Sequence, residues 1–170
     1  VVAQGRVDNN YDPDPEFGLI AGMRDGLTRL YDRRYLEETL PREVARAARA
    51  GASLAVLLLD VLGFRRFNER HGREKGDAAL REVAAALSAQ CRKGDICARY
   101  GGEEFAIVLP GALLQHAETK VEGLRAAAQP SGLAVAAGIA VYPQHGDSAE
   151  ALLEAAARSL YQAKRRIIEA

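Results

Sequence analysis

The 170-residue chain has no tryptophan, one methionine and two cysteines, and its 23 acidic residues stand against 23 basic ones. A chain with no net charge carries no bulk field to attract DNA or an anionic membrane, so an anionic ligand must be captured by a local site. Nucleic acid is therefore not an expected partner. The two cysteines, Cys91 and Cys97, have no clustered histidines beside them and offer no zinc site. Two thiols in a reducing compartment, the cytoplasm, are the ordinary reading, and a disulfide the less favoured one. Long apolar runs are also missing. The longest, Leu54–Leu59, stops at Asp60, far short of the about 20 residues needed to span a bilayer. No signal peptide is visible. The first residue is Val1 rather than methionine, which suggests a piece of something longer, with a sensory domain or membrane anchor upstream.

What is present suits one domain with a real core plus a modest appendage. Residues 1–23 are polar, turn-forming and broken by Pro13 and Pro15, and read as a linker or tail. From residue 24 to 170 the periodicity is clear. Leu36, Leu40, Val44 and Ala48 mark a helix face that Gly51 ends. Ser53–Asp60 reads as a strand covered on both faces. A short helix is expected over Phe64–Glu69, a long one from about Asp77 to Cys91, and a third around Ala117, Val121 and Leu124. Ile96–Tyr100 and Glu104–Leu109 read as a hairpin turning at Gly101-Gly102. Leu133–Val141 is a fourth strand, broken by Gly138, and Pro143–Gly146 a turn. Leu153, Ala156, Leu160 and Ala163 give the last helix, ending in Lys164-Arg165-Arg166. Strands and helices mix without strict alternation, so the fold class is α+β.

The hairpin tip carries unusual chemistry. Gly101 and Gly102 supply positive φ and let a ligand approach the backbone, then two acids follow, Glu103 and Glu104. A tight turn is the ordinary reading of such glycines. If the Asp60 strand lies beside the hairpin, however, Asp60 and Glu103 could meet at one sheet edge, where two carboxylates repel unless a cation bridges them. Oxygen ligands together with phosphates suit Mg²⁺.

Arg99-Tyr100-Gly101-Gly102-Glu103-Glu104-Phe105 resembles the GG(D/E)EF signature of diguanylate cyclases. Four further segments fit in the same order. Asp25-Gly26-Leu27-Thr28-Arg29-Leu30 resembles D-x-L-T-x-L, and Asp60-Val61-Leu62-Gly63-Phe64-Arg65 resembles D-I-D-x-F-K. Asn68, Gly72, Gly76 and Asp77 fit N-D-x-x-G-H-x-x-G-D, and Leu160–Lys164 fits L-Y-x-A-K. The likeness runs from Asp25 to Lys164. It implies a nucleotidyl-cyclase or palm-like fold with a central mixed, mainly antiparallel sheet flanked by helices.

The resemblance also implies an activity: two GTP molecules are joined into cyclic di-GMP with release of two pyrophosphates, across a homodimer whose subunits each hold one GTP. In that scheme Asp60, Glu103 and the Val61 carbonyl bind Mg²⁺ (or Mn²⁺), and Glu104 is an auxiliary catalytic acid beside Glu103. Asn68 and Asp77 read guanine, Gly101 and Gly102 border the substrate, and backbone N–H groups at Gly63 and Phe64 cradle phosphate. Lys164 reaches the terminal phosphates. Singly, Asn68 reads as a helix residue, Asp77 as an N-cap and Lys164 as a solvated helix end. Arg92-Lys93-Gly94-Asp95 matches R-x-x-D at the family's offset from Gly101, implying an inhibitory product site at Arg92 and Asp95. Alone, R-x-x-D is ordinarily a surface ion pair. The helix stretch Gln115–Gly123 lacks the arginine that completes that site in the family, which implies either weaker product binding or another partner such as Lys120.

The departures concern phosphate handling. Leu62 stands where a second Asp is usual, Arg65 where Lys is, Arg73 where His is, and Ala157 where Asp is. Ile168 stands where the family has a phosphate-binding Arg, for which Arg165 or Arg166 could substitute. Two functions follow: a product-inhibited diguanylate cyclase, or a catalytically weak domain that signals by binding GTP or cyclic di-GMP. A plain dimerisation module would leave the collinear acids unexplained.

Overall fold

The computed structural model describes residues 23–169; apart from Met23, the tail expected over 1–23 lies outside the described residues. The elements are α1 (Arg33–Ala50), β1 (Leu54–Val61), α2 (Phe64–His71), α3 (Arg73–Ala89), β2 (Ile96–Arg99), β3 (Glu104–Pro110), α4 (Leu114–Ala128), a short 3₁₀ turn (Gln129–Ser131), β4 (Val135–Tyr142) and α5 (Ala149–Glu169). The strands form one sheet in the order β2-β3-β1-β4, and all three pairings are antiparallel. The one parallel contact among the described residues is the bridge between Tyr31 and Ala98. The α+β reading and the mainly antiparallel sheet both hold.

β1 is central and its eight residues are all buried, the apolar run Leu54–Leu59 and Asp60 alike. Ala55, Leu57, Leu59 and Val61 face Leu80, Val83 and Leu87 of α3 and Ala117 and Leu124 of α4. Leu54, Val56 and Leu58 face Leu36, Leu40 and Val44 of α1 and Leu152, Ala156 and Leu160 of α5. Each fully buried leucine contributes about 1.5–3 kcal/mol of transfer free energy. The α1 stripe closes at Ala47, which is buried, and not at the exposed Ala48. Gly51 caps α1 with φ 63°, a left-handed conformation that glycine adopts without strain.

β4 is not broken at Gly138. A Cβ there would overlap the Ala156 carbonyl and the Leu160 backbone nitrogen, so this glycine lets α5 lie directly on the strand. Both sheet edges are partly covered, which discourages pairing with another chain. On β4, the N–H groups of Ile139 and Val141 donate to Ser159 Oγ (3.0 Å) and His145 Nδ1 (2.8 Å). Beside β2, the Arg99 N–H donates to the Tyr31 carbonyl at 2.8 Å, and Tyr31 stacks on Tyr35 with ring centroids 3.7 Å apart. Cys91 and Cys97 are both buried and are not joined in a disulfide. The hydrogen bond that the Cys97 thiol makes to Cys91, together with burial, pushes the Cys97 thiol well above its ordinary pKa. No described helix is long and apolar enough to cross a membrane.

Candidate active site

β1 ends and β3 begins at one end of the sheet, with Asp60 opposite Glu104. One step further on, the Val61 N–H donates to the Glu103 carbonyl at 3.0 Å. That bond pins Glu103 beside the end of β1. Asp60, Glu103 and Glu104 thus collect at the end of two central strands, not at a sheet edge as the sequence suggested. The hairpin is kept tight by the N–H groups of Tyr100 and Gly101, which both donate to the Glu104 carbonyl at 2.8 and 3.1 Å.

The expected use of the two glycines needs correction. Neither Gly101 nor Gly102 has a left-handed φ. Gly101 is needed for space, since a Cβ there would sit 3.0 Å from Glu104 Oε1. At Gly102 a Cβ would meet nothing within 4 Å. The left-handed glycine of this region is Gly63, with φ 68°, which turns the chain from β1 into α2. No side chain caps α2, so its first-turn N–H groups have no capping acceptor of the chain's own.

Asp60 is 8% exposed and already carries a cation. The Lys164 ammonium, delivered by α5, donates to Asp60 Oδ2. That hydrogen bond holds Lys164 above the usual lysine range; partial burial opposes it, and the charges of Asp60, Glu104 and Glu103 add to it. Lys164 is not at a helix end, because α5 continues to Glu169. Two cavities open here. One, of about 560 Å³, is lined by Asp60, Glu103, Glu104 and Lys164 with Leu58 and Tyr100. The other, of about 720 Å³, shares Asp60, Glu103 and Lys164 and adds Val61, Gly63 and Phe64.

Among the described residues no three His, Cys, Asp or Glu side chains converge closely enough to hold a metal ion unaided. Asp60 and Glu103 fit a hard cation differently. Two carboxylates line one cavity and leave the other positions to phosphate oxygens and water, the usual way Mg²⁺ is held. Asp60 already faces one cation in this structure, the Lys164 ammonium.

The remaining residues singled out from the sequence lie apart. Asn68 is on α2 and Asp77 on α3, and neither lines the two cavities. Asp77 is not an N-cap, because α3 begins at Arg73. The Asn68 amide oxygen is buried without a hydrogen-bond partner and rests against Gly76, where a Cβ would overlap it. Arg92 and Asp95 form the turn between α3 and β2. The Arg92 N–H donates to Asp95 Oδ2 at 2.8 Å. The Arg92 side chain is 74% exposed while that of Asp95 is 2% exposed. Asp95 thus spends part of its carboxylate on closing the turn. Lys120 reaches the same turn from α4 and donates to the Gln90 carbonyl at 2.6 Å.

One clamp escaped the sequence reading. The Arg99 guanidinium donates to both Asp25 oxygens at 3.1 Å and to the Gly102 carbonyl at 2.7 and 3.2 Å. Asp25 also accepts from the Thr28 N–H (2.7 Å) and hydroxyl (2.8 Å). Burial pushes the Asp25 carboxyl up, but the Thr28 bonds and the Arg99 charge outweigh it, and the net direction is down. The pair spans 74 positions, so no local spacing announces it.

The family model for the diguanylate cyclase GGDEF domain matches residues 22–167. Diguanylate cyclase DgcP of Pseudomonas aeruginosa is 37% identical over 152 residues, which cover 84% of this chain and 22% of that protein. The chain thus spans about a fifth of DgcP. Among solved structures, the GGDEF domain of TpbB from Pseudomonas aeruginosa superposes with a TM-score of 0.80 at 35% identity, covering 84% of this chain and 89% of that one. The GGDEF domain of DgcB from Caulobacter crescentus, solved with c-di-GMP, gives 0.79 at 29% identity, covering 85% and 91%. With the hairpin acids, the sheet order and these likenesses in agreement, the chain belongs to the diguanylate cyclase (GGDEF) family.

Proposed function

We propose that this chain binds GTP with Mg²⁺ or Mn²⁺ at Asp60 and Glu103, and joins two GTP molecules into cyclic di-GMP with release of two pyrophosphates. The observation that carries this reading is the cavity shared by Asp60, Glu103 and Lys164 at the joint end of β1 and the hairpin. The divalent cation, when bound, supplies neutralisation of the triphosphate and eases proton loss from the attacking 3′-hydroxyl. Asp60, Glu103 and the Val61 carbonyl would hold it. Lys164 serves a phosphate oxygen, giving up its hydrogen bond to Asp60 to do so, and Glu104 stands beside the reacting hydroxyl. The first-turn N–H groups after Gly63 and Phe64 bind phosphate.

Guanine lies toward the α2–α3 corner, past Gly72 and Gly76. There the Asp77 carboxylate accepts from its N1–H and N2–H₂ groups and Asn68 pairs with the remaining edge. The unpartnered Asn68 oxygen supports a role for that amide beyond the fold, because a buried acceptor left alone costs about 1–3 kcal/mol. One chain holds one GTP, so the reaction joins the sites of a homodimer. Cyclic di-GMP acts back at Arg92 and Asp95, with the exposed Arg92 fork as its main grip. The protein works in the cytoplasm under an upstream sensory part.

The test incubates purified, dimeric protein with GTP and Mg²⁺ and separates the products by chromatography. The reading expects cyclic di-GMP with twice its amount of pyrophosphate. GTP binding without product from a dimeric sample would leave a nucleotide-binding signalling module instead.

A further inference from the structure

The larger cavity has an uneven wall. Its acids are Asp60, Glu103 and Glu69, and its cations are Lys164, Arg65 and Arg66. Lys164 is already bound to Asp60. Arg65 faces Glu69 at 3.8 Å with its side chain 94% exposed. Across from α2, the end of α5 presents Ile167 and Ile168, 42% and 81% exposed, and neither can donate to a phosphate. The arginines beside them on α5 lie elsewhere. Arg165 donates to Glu169 at 3.0 Å, and Arg166 lines a separate cavity with Glu118, His145 and Arg158. Arg165 and Arg166 therefore do not make good the missing charge at Ile168.

Arg66 is different. It lines the cavity and, among the described residues, its guanidinium has no hydrogen bond or ion pair. It sits in the first turn of α2, two residues after Phe64. A triphosphate entering this cavity is repelled by Asp60 and Glu103 until a cation joins it, and meets apolar side chains on the α5 side. Its uncommitted partner with a planar, bidentate fork is Arg66. We infer that Arg66 grips the outer phosphates of the nucleotide beside Lys164, doing from α2 what Ile168 at the end of α5 cannot do in this chain. The inference rests on the GTP site proposed above. It makes Arg66 a determinant of triphosphate over monophosphate, with no part in reading the base.

The test is calorimetric titration with a non-hydrolysable GTP analogue and with GMP, both with Mg²⁺. It compares the unsubstituted protein with Arg66→Ala, Arg66→Lys and the control Arg166→Ala. Arg66→Ala is expected to weaken the analogue on the order of tenfold, the loss of one charge-assisted contact, and to leave GMP unchanged. Arg66→Lys recovers part of the loss, and Arg166→Ala matches the parent. Adding Ile168→Arg to Arg66→Ala places a guanidinium on the opposite wall and restores part of the analogue affinity. Unchanged analogue binding in Arg66→Ala, or an equal loss for GMP, overturns the inference while leaving the GTP site intact. Failure of the unsubstituted protein to bind either nucleotide overturns the site itself, and the inference with it.

Discussion

Asn68 carries a buried amide oxygen that nothing in the chain satisfies, and it is accommodated because Gly76 lacks a side chain. Gly76→Ala would push that flexible side chain out of its seat while improving the helix propensity of α3 by up to about 1 kcal/mol. Tm should hold or rise, and affinity for guanine nucleotides should fall about tenfold or more in titration calorimetry. An unchanged affinity would remove Asn68 from the base site. The Asp25–Arg99 pair makes a second prediction at this scale. The Asp25 carboxyl is held below its ordinary value of about 4 by Thr28 and Arg99. A depressed carboxyl contributes stability that is complete above the unfolded value and is lost as pH falls through the lower, folded one. Asp25→Asn should cost about 2 kcal/mol at pH 7. The gap in Tm between parent and variant should persist to about pH 5 and close below about pH 4. A gap independent of pH would show that the charge of Asp25 does not matter. Motif order made Asn68 and Asp25 visible in the sequence. The orphaned oxygen and the long-range arginine partner were not, because both depend on which distant backbone lies alongside.

At the scale of elements, the sequence reading found the five α-helices and four strands of the described residues, missed the 3₁₀ turn at Gln129–Ser131, and misjudged Gly138 and the start of α3. Gly138 looked like a strand breaker, yet β4 runs through it because α5 needs the space of its missing Cβ. Gly138→Ala forces backbone apart rather than a side-chain tip. It should destabilise the protein by at least about 2 kcal/mol, read as a Tm lower by several degrees. A shift within experimental error would mean that α5 does not lie on β4 as described. Gly76 fell outside the expected α3, whose start was placed at Asp77, because Arg73-Glu74-Lys75 offers no apolar period to count. Gly76, in the first turn of α3, rests against Asn68 of α2, a contact that local spacing does not carry.

For the molecule as a whole, the α+β class followed from strands and helices mixing without strict alternation, and the antiparallel sheet brings the end of β1 and the start of β3 together as the resemblance implied. Asp60 and Glu103, 43 positions apart in sequence, become neighbours through the Val61–Glu103 hydrogen bond. The clustering of Lys164 with them was legible in part, since its motif pointed to the site but not to Asp60 as its present partner. The division of labour between α2 and α5 was not legible, because it depends on which arginines line the cavity. The most direct measurement compares the rate of cyclic di-GMP formation by the parent with Asp60→Asn and Glu103→Gln, in samples shown to be folded and dimeric. Each substitution keeps the size of the side chain and removes its charge. Turnover should fall by about a hundredfold or more in both, with guanine binding through Asn68 and Asp77 retained. Turnover near that of the parent in either variant would contradict the assignment of this cavity as the catalytic centre.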